Sequence, residues 1–260
     1  MSQYLRDTAY VLLSEPFREQ DVWLTLYGQQ HGKLVGIARG VRSARSKQRG
    51  HMEPFSKIEV MLAKGGAYDK IAVVQTCASS DGLRESLSGM AIFGRVVALV
   101  ARSTEQGVPN ERIFLLLDEL HRLLSAPEVQ RVSTERSALI LAAFTLQLLD
   151  AEGYAMDFDQ CRVCGEALNK DRGWLSLEQG GIVCQACVTK IQLSPSMGAW
   201  ISAPVLQAIR FFARAPLSSV LALSAPRSIL QEVSGAVDQM THVLPRSQEV
   251  PASQFLFSLG

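Results

Sequence analysis

The stretch Val22–Arg39, VWLTLYGQQHGKLVGIAR, decides the first part of the fold. Two β-rich runs, Val22–Tyr27 and Lys33–Arg39, flank a short segment bounded by Gly28 and Gly32, as a tight hairpin requires. The segment has a faint likeness to a phosphate-binding P-loop. Three residues rather than four separate its glycines, however, and Leu34 stands where a Ser or Thr would hold magnesium. The hairpin is the better reading. Working outward, Thr8–Ser14 (TAYVLLS), Lys57–Ala63 (KIEVMLA) and Lys70–Thr76 (KIAVVQT) supply three more strands. Five strands at this spacing suit a small barrel or sandwich. The OB-fold fits the count, and an SH3-like barrel fits it almost as well.

Beyond about residue 81 the period of the apolar residues becomes helical. Leu83, Leu87, Met90, Phe93, Val97 and Val100 step by three or four along one face. Pro109-Asn110-Glu111 opens a second run with Ile113, Leu116, Leu117, Leu120 and Leu124 on its apolar side. A third, Thr134–Ala151, carries Leu139, Ala142, Ala143, Leu146 and Leu149, and Gly153 marks its end. After Ser194-Pro195 the chain is expected to return to helix, with segments at 204–214 and 227–243. The expected fold is therefore α+β and multi-domain. A β-barrel domain over residues 1–80 precedes a helical domain over 81–260, with a cysteine element inserted at about 158–192.

That element holds Cys161-Arg-Val-Cys164-Gly165 and Cys184-Gln-Ala-Cys187, two C-x2-C pairs separated by nineteen residues. This is the spacing of a four-thiolate zinc site. Two residues between ligands let a tight turn aim both sulfurs at one ion, and Gly165 relieves that turn. Between the pairs, Trp174-Leu-Ser-Leu and Gly180-Gly181-Ile-Val read as a short hairpin that returns the chain to the second knuckle. Four thiolates close the tetrahedron and leave no position for a substrate water, so the expected zinc is structural. A redox dithiol would call for a βαβ thioredoxin-like context, which is missing. Cys77 stands alone in an apolar strand and is expected to be buried as a small hydrophobe.

Charge is distributed unevenly. The whole chain of 260 residues carries a formal net charge of +1, which argues against a uniformly basic coat. Yet Val22–Met52 contains no Asp or Glu, while it holds Lys33, Arg39, Arg42, Arg45, Lys47 and Arg49. Its dense part, RGVRSARSKQRG from Arg39 to Gly50, has the Gly/Ser content of a flexible loop that can fit a phosphate backbone. These six cations are the candidate nucleic-acid-binding residues. The bland alternative is a solvated basic loop, although ordinary loops mix signs. Tyr10, Phe17, Trp23, Tyr27, Phe55 and Tyr68 are aromatic residues of the same zone that could stack on bases, and core packing is the ordinary fate of most.

Several function classes are disfavoured. The N-terminus lacks a basic-then-apolar export signal, and the purest apolar runs, Val96–Ala101 and Ala138–Phe144, fall far short of a membrane span. A soluble, unexported protein is expected. The four histidines (His31, His51, His121, His242) are scattered, and no nucleophile elbow or zinc-protease motif occurs. Acidic pairs such as Asp118-Glu119 sit on amphipathic helices, as solvated faces do. An enzyme is the minority reading, behind a nucleic-acid-binding protein and a zinc-ribbon protein–protein adaptor, with an RNA-binding OB-fold protein as a variant of the first.

The order of these parts carries a family likeness. Gly32-Lys33-Leu34 leads into Ala38-Arg39-Gly40-Val41-Arg42, then Ser46 and Met52-Glu53-Pro54-Phe55. Cys161-x-x-Cys164-Gly165 and Gly180-Gly181-x-x-Cys184-x-x-Cys187 follow. In this arrangement the chain resembles the RecO family of recombination mediators from about residue 8 to 240. The resemblance implies an N-terminal OB-fold, a helical remainder with the zinc element, and a place in the cytoplasm at the nucleoid. It also implies binding of single- and double-stranded DNA and annealing of complementary strands. With RecR, and in some lineages RecF, such proteins help load RecA onto strands coated by the single-strand-binding protein SSB. Contact with the acidic, apolar C-terminal tail of SSB is implied too, with Arg210, Phe211, Phe212 and Arg214 as candidates. Residues Leu244–Pro251 depart from the basic tail associated with the family.

Overall fold

In the computed structural model the alternation of the first eighty residues becomes a closed barrel. The structure describes residues 4–43, 46, 48–66, 68–78, 83, 86–126, 133–168, 172–191, 198–223 and 225–244. Five strands, β1 (Tyr4–Phe17), β2 (Asp21–Gly28), β3 (Gly32–Ala38), β4 (Lys57–Ala63) and β5 (Lys70–Ala78), are joined in the order β1-β2-β3-β5-β4. This is the OB-like arrangement, and it settles the choice left open between OB and SH3-like barrels. The long first strand serves two neighbours. Tyr4–Tyr10 pairs with β4 and Ala9–Phe17 pairs with β2, with a bulge between Val11 and Leu13. The Gly28–Gly32 segment is the β2–β3 hairpin.

Period-two alternation decides what fills the barrel. Ala9, Val11, Leu24, Leu26, Leu34, Ile58, Val60, Leu62, Ile71 and Val74 point inward and are buried together. Odd-numbered residues of β2 therefore face outward. Two of the outward aromatics are nevertheless covered: Tyr10 stacks at 5.6 Å on Phe114, and the Tyr27 hydroxyl donates to the Asn110 carbonyl at 3.3 Å. Gly32, at φ +63°, lies so close to the Val108 carbonyl that a Cβ there would collide with it.

Three long helices follow, α1 (Leu87–Ser103), α2 (Glu111–Ser125) and α3 (Thr134–Ala151). The described residues fall into two units: residues 4–78 with 93–117, and residues 83–92 with 118–244. In the second, α3 is apolar on nearly every side, with Ile140, Ala143, Phe144 and Leu148 fully buried. Ser133 caps it by accepting from the Arg136 N–H. The Gln147 amide donates to the carbonyls of Phe212 and Ala215, tying α3 to the end of α5 (Ala203–Phe212). Glu232 on α7 (Arg227–Met240) accepts from both the N–H and the hydroxyl of Ser202, which fixes the start of α5.

The cysteine element contains the expected hairpin, β6 (Gly173–Ser176) with β7 (Gly181–Val183), and then α4 (Gln185–Ile191). One expectation is corrected here. The chain does not return directly to helix after Pro195, because Gly198–Ile201 forms a further strand, β8, paired antiparallel with β6. Trp174 and Trp200 lie opposite each other in that ladder, their rings 5.5 Å apart, with the Arg172 guanidinium 4.8 Å from the Trp200 ring. Gly198 is needed there because a Cβ would run into the Trp174 indole. The short helix α6 (Leu217–Leu221), also not expected, links α5 to α7.

Candidate nucleic-acid face and metal centre

The acid-free stretch is divided by the barrel into residues of unlike fate. Lys33 is 3% exposed, and its Nζ donates to the Ala101 carbonyl at 3.1 Å. It is thereby withdrawn from solvent, and the expectation that it meets a phosphate is corrected: the outward face of β3 is covered at this position by the segment that follows α1. Gly107 N–H returns a bond to the Lys33 carbonyl at 2.9 Å. Arg39 and Arg42 behave differently and are both exposed. The backbone holds them in place: Gly40 N–H donates to Asp21 Oδ1 at 2.9 Å, and Arg42 N–H donates to the Gln20 carbonyl at 3.0 Å. The start of the basic loop thus rests on the β1–β2 turn. Arg45 and Lys47 lie outside the described residues. The backbone of Arg49 is in a 3-10 turn, Arg49–His51, whose His51 ring bonds Thr76 Oγ1 at 2.8 Å, while the Arg49 side chain lies outside the description.

Cys161, Cys164, Cys184 and Cys187 come together with their sulfurs all within 4.8 Å of one another. Among the described residues this is the one group of three or more His, Cys, Asp or Glu side chains close enough to hold a metal ion. The first knuckle turns where Gly165, at φ +74°, donates its N–H to the Cys161 carbonyl. The second turns at the start of α4, where Cys187 N–H donates to the Cys184 carbonyl. The Cys164 and Cys184 sulfurs are 3.9 Å apart. A regular tetrahedron of sulfurs about 2.3 Å from a central ion has edges of about 3.8 Å, so the spacing suits such an ion.

The electrostatics of the cluster favour a cation. Burial works against ionisation of Cys161, yet N–H donors from Cys184, Cys164 and Val163 hold its thiol down at about 6. Hydrogen bonding with Cys184, and then burial, push Cys187 up to about 12. A divalent ion relieves this mutual opposition among thiolates by supplying the positive charge they lack.

Two family models match the chain. That for Recombination protein O N terminal covers residues 1–80, and that for Recombination protein O C terminal covers residues 84–243. This chain belongs to the RecO family. It is 32% identical over 188 residues to the DNA repair protein RecO of Pelotomaculum thermopropionicum, covering 72% of this chain and 70% of that one. With the DNA repair protein RecO of Dehalococcoides mccartyi it shares 30% identity over 220 residues, 84% of this chain and 82% of the relative.

In this RecO chain the cysteine element is fastened by Arg210 of α5 and by Arg214 just beyond its end. Arg210 Nε donates to the Phe158 carbonyl at 2.8 Å and its Nη2 to the Leu168 carbonyl at 2.6 Å, while Asp159 lies 3.2 Å away. Arg214 pairs with the same Asp159, and that partnership raises its already high pKa further. Of the residues considered for the SSB tail, Phe212 is buried and Arg210 is engaged internally, whereas Phe211 and Arg214 reach the surface. Cys77 is exposed, contrary to the buried role expected of it, because the odd-numbered end of β5 faces outward. No helix among the described residues is long and apolar enough to cross a membrane.

What the sequence did not single out is Arg18. It lies outside the acid-free window, among Glu15, Glu19 and Asp21, in the β1–β2 turn whose Gln20 and Asp21 accept from the basic loop.

Proposed function

We propose that this RecO-family chain is a non-enzymatic, DNA-binding and strand-annealing recombination mediator. In this role it helps load RecA onto single-stranded DNA coated with SSB, working with RecR and, where present, RecF. The observation that carries the reading is the acid-free basic loop, anchored through Gly40 and Arg42 on one turn of an OB-like barrel. Arg39, Arg42, Arg45, Lys47 and Arg49 are the phosphate-binding set, with residues 1–80 as the nucleic-acid domain and 81–260 as its helical companion. Two complementary strands repel each other through their phosphates. A row of cations that screens both lowers the barrier to their pairing without covalent chemistry.

The metal is a single structural zinc ion held by Cys161, Cys164, Cys184 and Cys187. Four thiolates leave it no open coordination position, so its contribution is to folding. The protein works in the cytoplasm at the nucleoid, where its strands are found.

The test is strand annealing on SSB-coated oligonucleotides, comparing the parent with the triple variant Arg39→Ala, Arg42→Ala, Arg45→Ala. Loss of annealing in a folded variant supports the reading. A variant that anneals as fast as the parent refutes it and leaves the adaptor role.

A further inference from the structure

Cations that meet phosphates hold single strands and duplexes alike, so an annealing protein needs a further feature to prefer strands that are still unpaired. Three rings on the outer face of the barrel lie close together. Trp23, on β2, lies 5.7 Å from Phe17 at the end of β1 and 5.2 Å from Tyr68 in the segment before β5. Phe17 and Tyr68 are themselves 6.3 Å apart, so the three close into a cluster. The ladders explain the meeting. Trp23 pairs with Glu15 on one side and Ile37 on the other, and Ile37 N–H donates to the Asp69 carbonyl, next to Tyr68. Tyr10 and Tyr27, outward on the same strands, are buried beneath Phe114 and Asn110. Phe17 and Trp23 are only half-buried, and Tyr68 is 51% exposed.

Charges of both signs border the cluster, with the exposed Glu19 next to Arg18. The Arg18 guanidinium lies 5.2 Å from the Phe17 ring, and Arg18 is held at φ +59°, a left-handed conformation that a non-glycine residue adopts at a cost. Arg39, two residues beyond Ile37 on the outward row, is exposed, and so is Lys70, which pairs with Ile37. Two nearby carboxylates are occupied: Asp21 accepts from Gly40 N–H, and Asp69 accepts from Lys64 Nζ and Gly65 N–H. Glu15, opposite Trp23, is half-buried on the same face.

We propose that Phe17, Trp23 and Tyr68 form a stacking platform for the unpaired bases of single-stranded DNA, with Arg39 beside it for the phosphates. The proposal rests on the DNA-binding reading above and adds the choice of unpaired over paired strands. Bases in a duplex stack on one another and present no free face to these rings, whereas each base of a single strand does.

The full-length, zinc-loaded chain is titrated by fluorescence anisotropy against a labelled oligothymidine and, separately, a duplex of the same length at one salt concentration. Trp23→Ala is expected to weaken single-strand binding about tenfold or more, with duplex affinity within about twofold of the parent. Trp23→Phe keeps a ring and should retain most of the single-strand affinity. Tyr68→Ala, at a largely exposed position, gives the same selective loss and guards against a Trp23→Ala chain that does not fold. A bracing role alone would lower melting temperature and leave the ratio of the two affinities unchanged. The platform is overturned if the folded variants bind the single strand as tightly as the parent, or lose both ligands equally. A parent that holds neither ligand overturns the DNA-binding reading itself, a different and separable result.

Discussion

Salt dependence separates the cations that meet phosphates from the one that does not. Five candidates remain once Lys33 is assigned to the interior: Arg39, Arg42, Arg45, Lys47 and Arg49. If each neutralises one phosphate of a single strand, log K falls against log salt with a slope of about −3.5. Raising salt fourfold then costs the parent about 130-fold in affinity. The triple change Arg39→Ala, Arg42→Ala, Arg45→Ala leaves two contacts, a slope of about −1.4 and a loss of about 7-fold over the same range. Lys33→Ala is the internal control. It removes a buried, charge-assisted hydrogen bond to the Ala101 carbonyl, worth roughly 1.5–3 kcal/mol, and should lower the melting temperature. It should leave the slope at about −3.5. Anisotropy titrations at five salt concentrations, with melting followed by circular dichroism, measure both quantities. If Lys33→Ala flattens the slope by about 0.7 while melting is unchanged, the assignment of Lys33 to the interior is wrong. A parent slope near zero removes the phosphate reading altogether.

Other outcomes can be checked independently. Zinc analysis should find one ion per chain, and a strong chelator or Cys161→Ser should unfold the element around the β6–β7 hairpin, since such sites contribute ~10–16 kcal/mol; a metal-free chain with an unchanged melting curve contradicts this. Cobalt substitution should give the thiolate charge-transfer bands of a four-sulfur site, and spectra of fewer sulfurs would remove one of the four cysteines from the set. Gly32→Ala forces a Cβ into the Val108 carbonyl at a left-handed position, and should cost about 2 kcal/mol or more in urea unfolding. Burial raises the carboxyl of Glu15, so its ionisation opposes folding: the penalty is absent below the ordinary value of 4.5 and complete above the raised one. Glu15→Gln should therefore melt higher than the parent at pH 7.5 and match it near pH 4, and the opposite order would reverse the sign of that argument.

β4 was the most legible strand because it alternates cleanly, and its observed ends coincide with those read from KIEVMLA, whereas β1 extends from Tyr4 to Phe17, well past the Thr8–Ser14 read from its apolar run. The four thiols were legible because a C-x2-C pair brings its own geometry. Burial was harder to read. Lys33 and Arg39 look alike in the sequence, yet one lies beneath the chain that follows α1 and the other extends beyond it, a difference set by a segment some seventy residues away. Cys77 misled for a related reason, since an apolar-looking run does not say which of its faces is inward when its last turn of alternation reaches the strand end. β8 was hidden by its length. Four residues, Gly198–Ile201, carry too little pattern to be recognised without the partner strand that defines them.

One seam of the barrel is unlike the rest. The neighbouring ladders run to seven or eight paired positions, whereas β3 meets β5 in parallel at a single bridge, Ile37 with Lys70. A cylinder fastened along most of its circumference and clasped once will unlatch at the clasp, so the Ile37 amide should exchange its hydrogen sooner than those of β2. Trp23 and Tyr68 stand on either side of that clasp. A base stacked across both rings would also hold the cylinder shut.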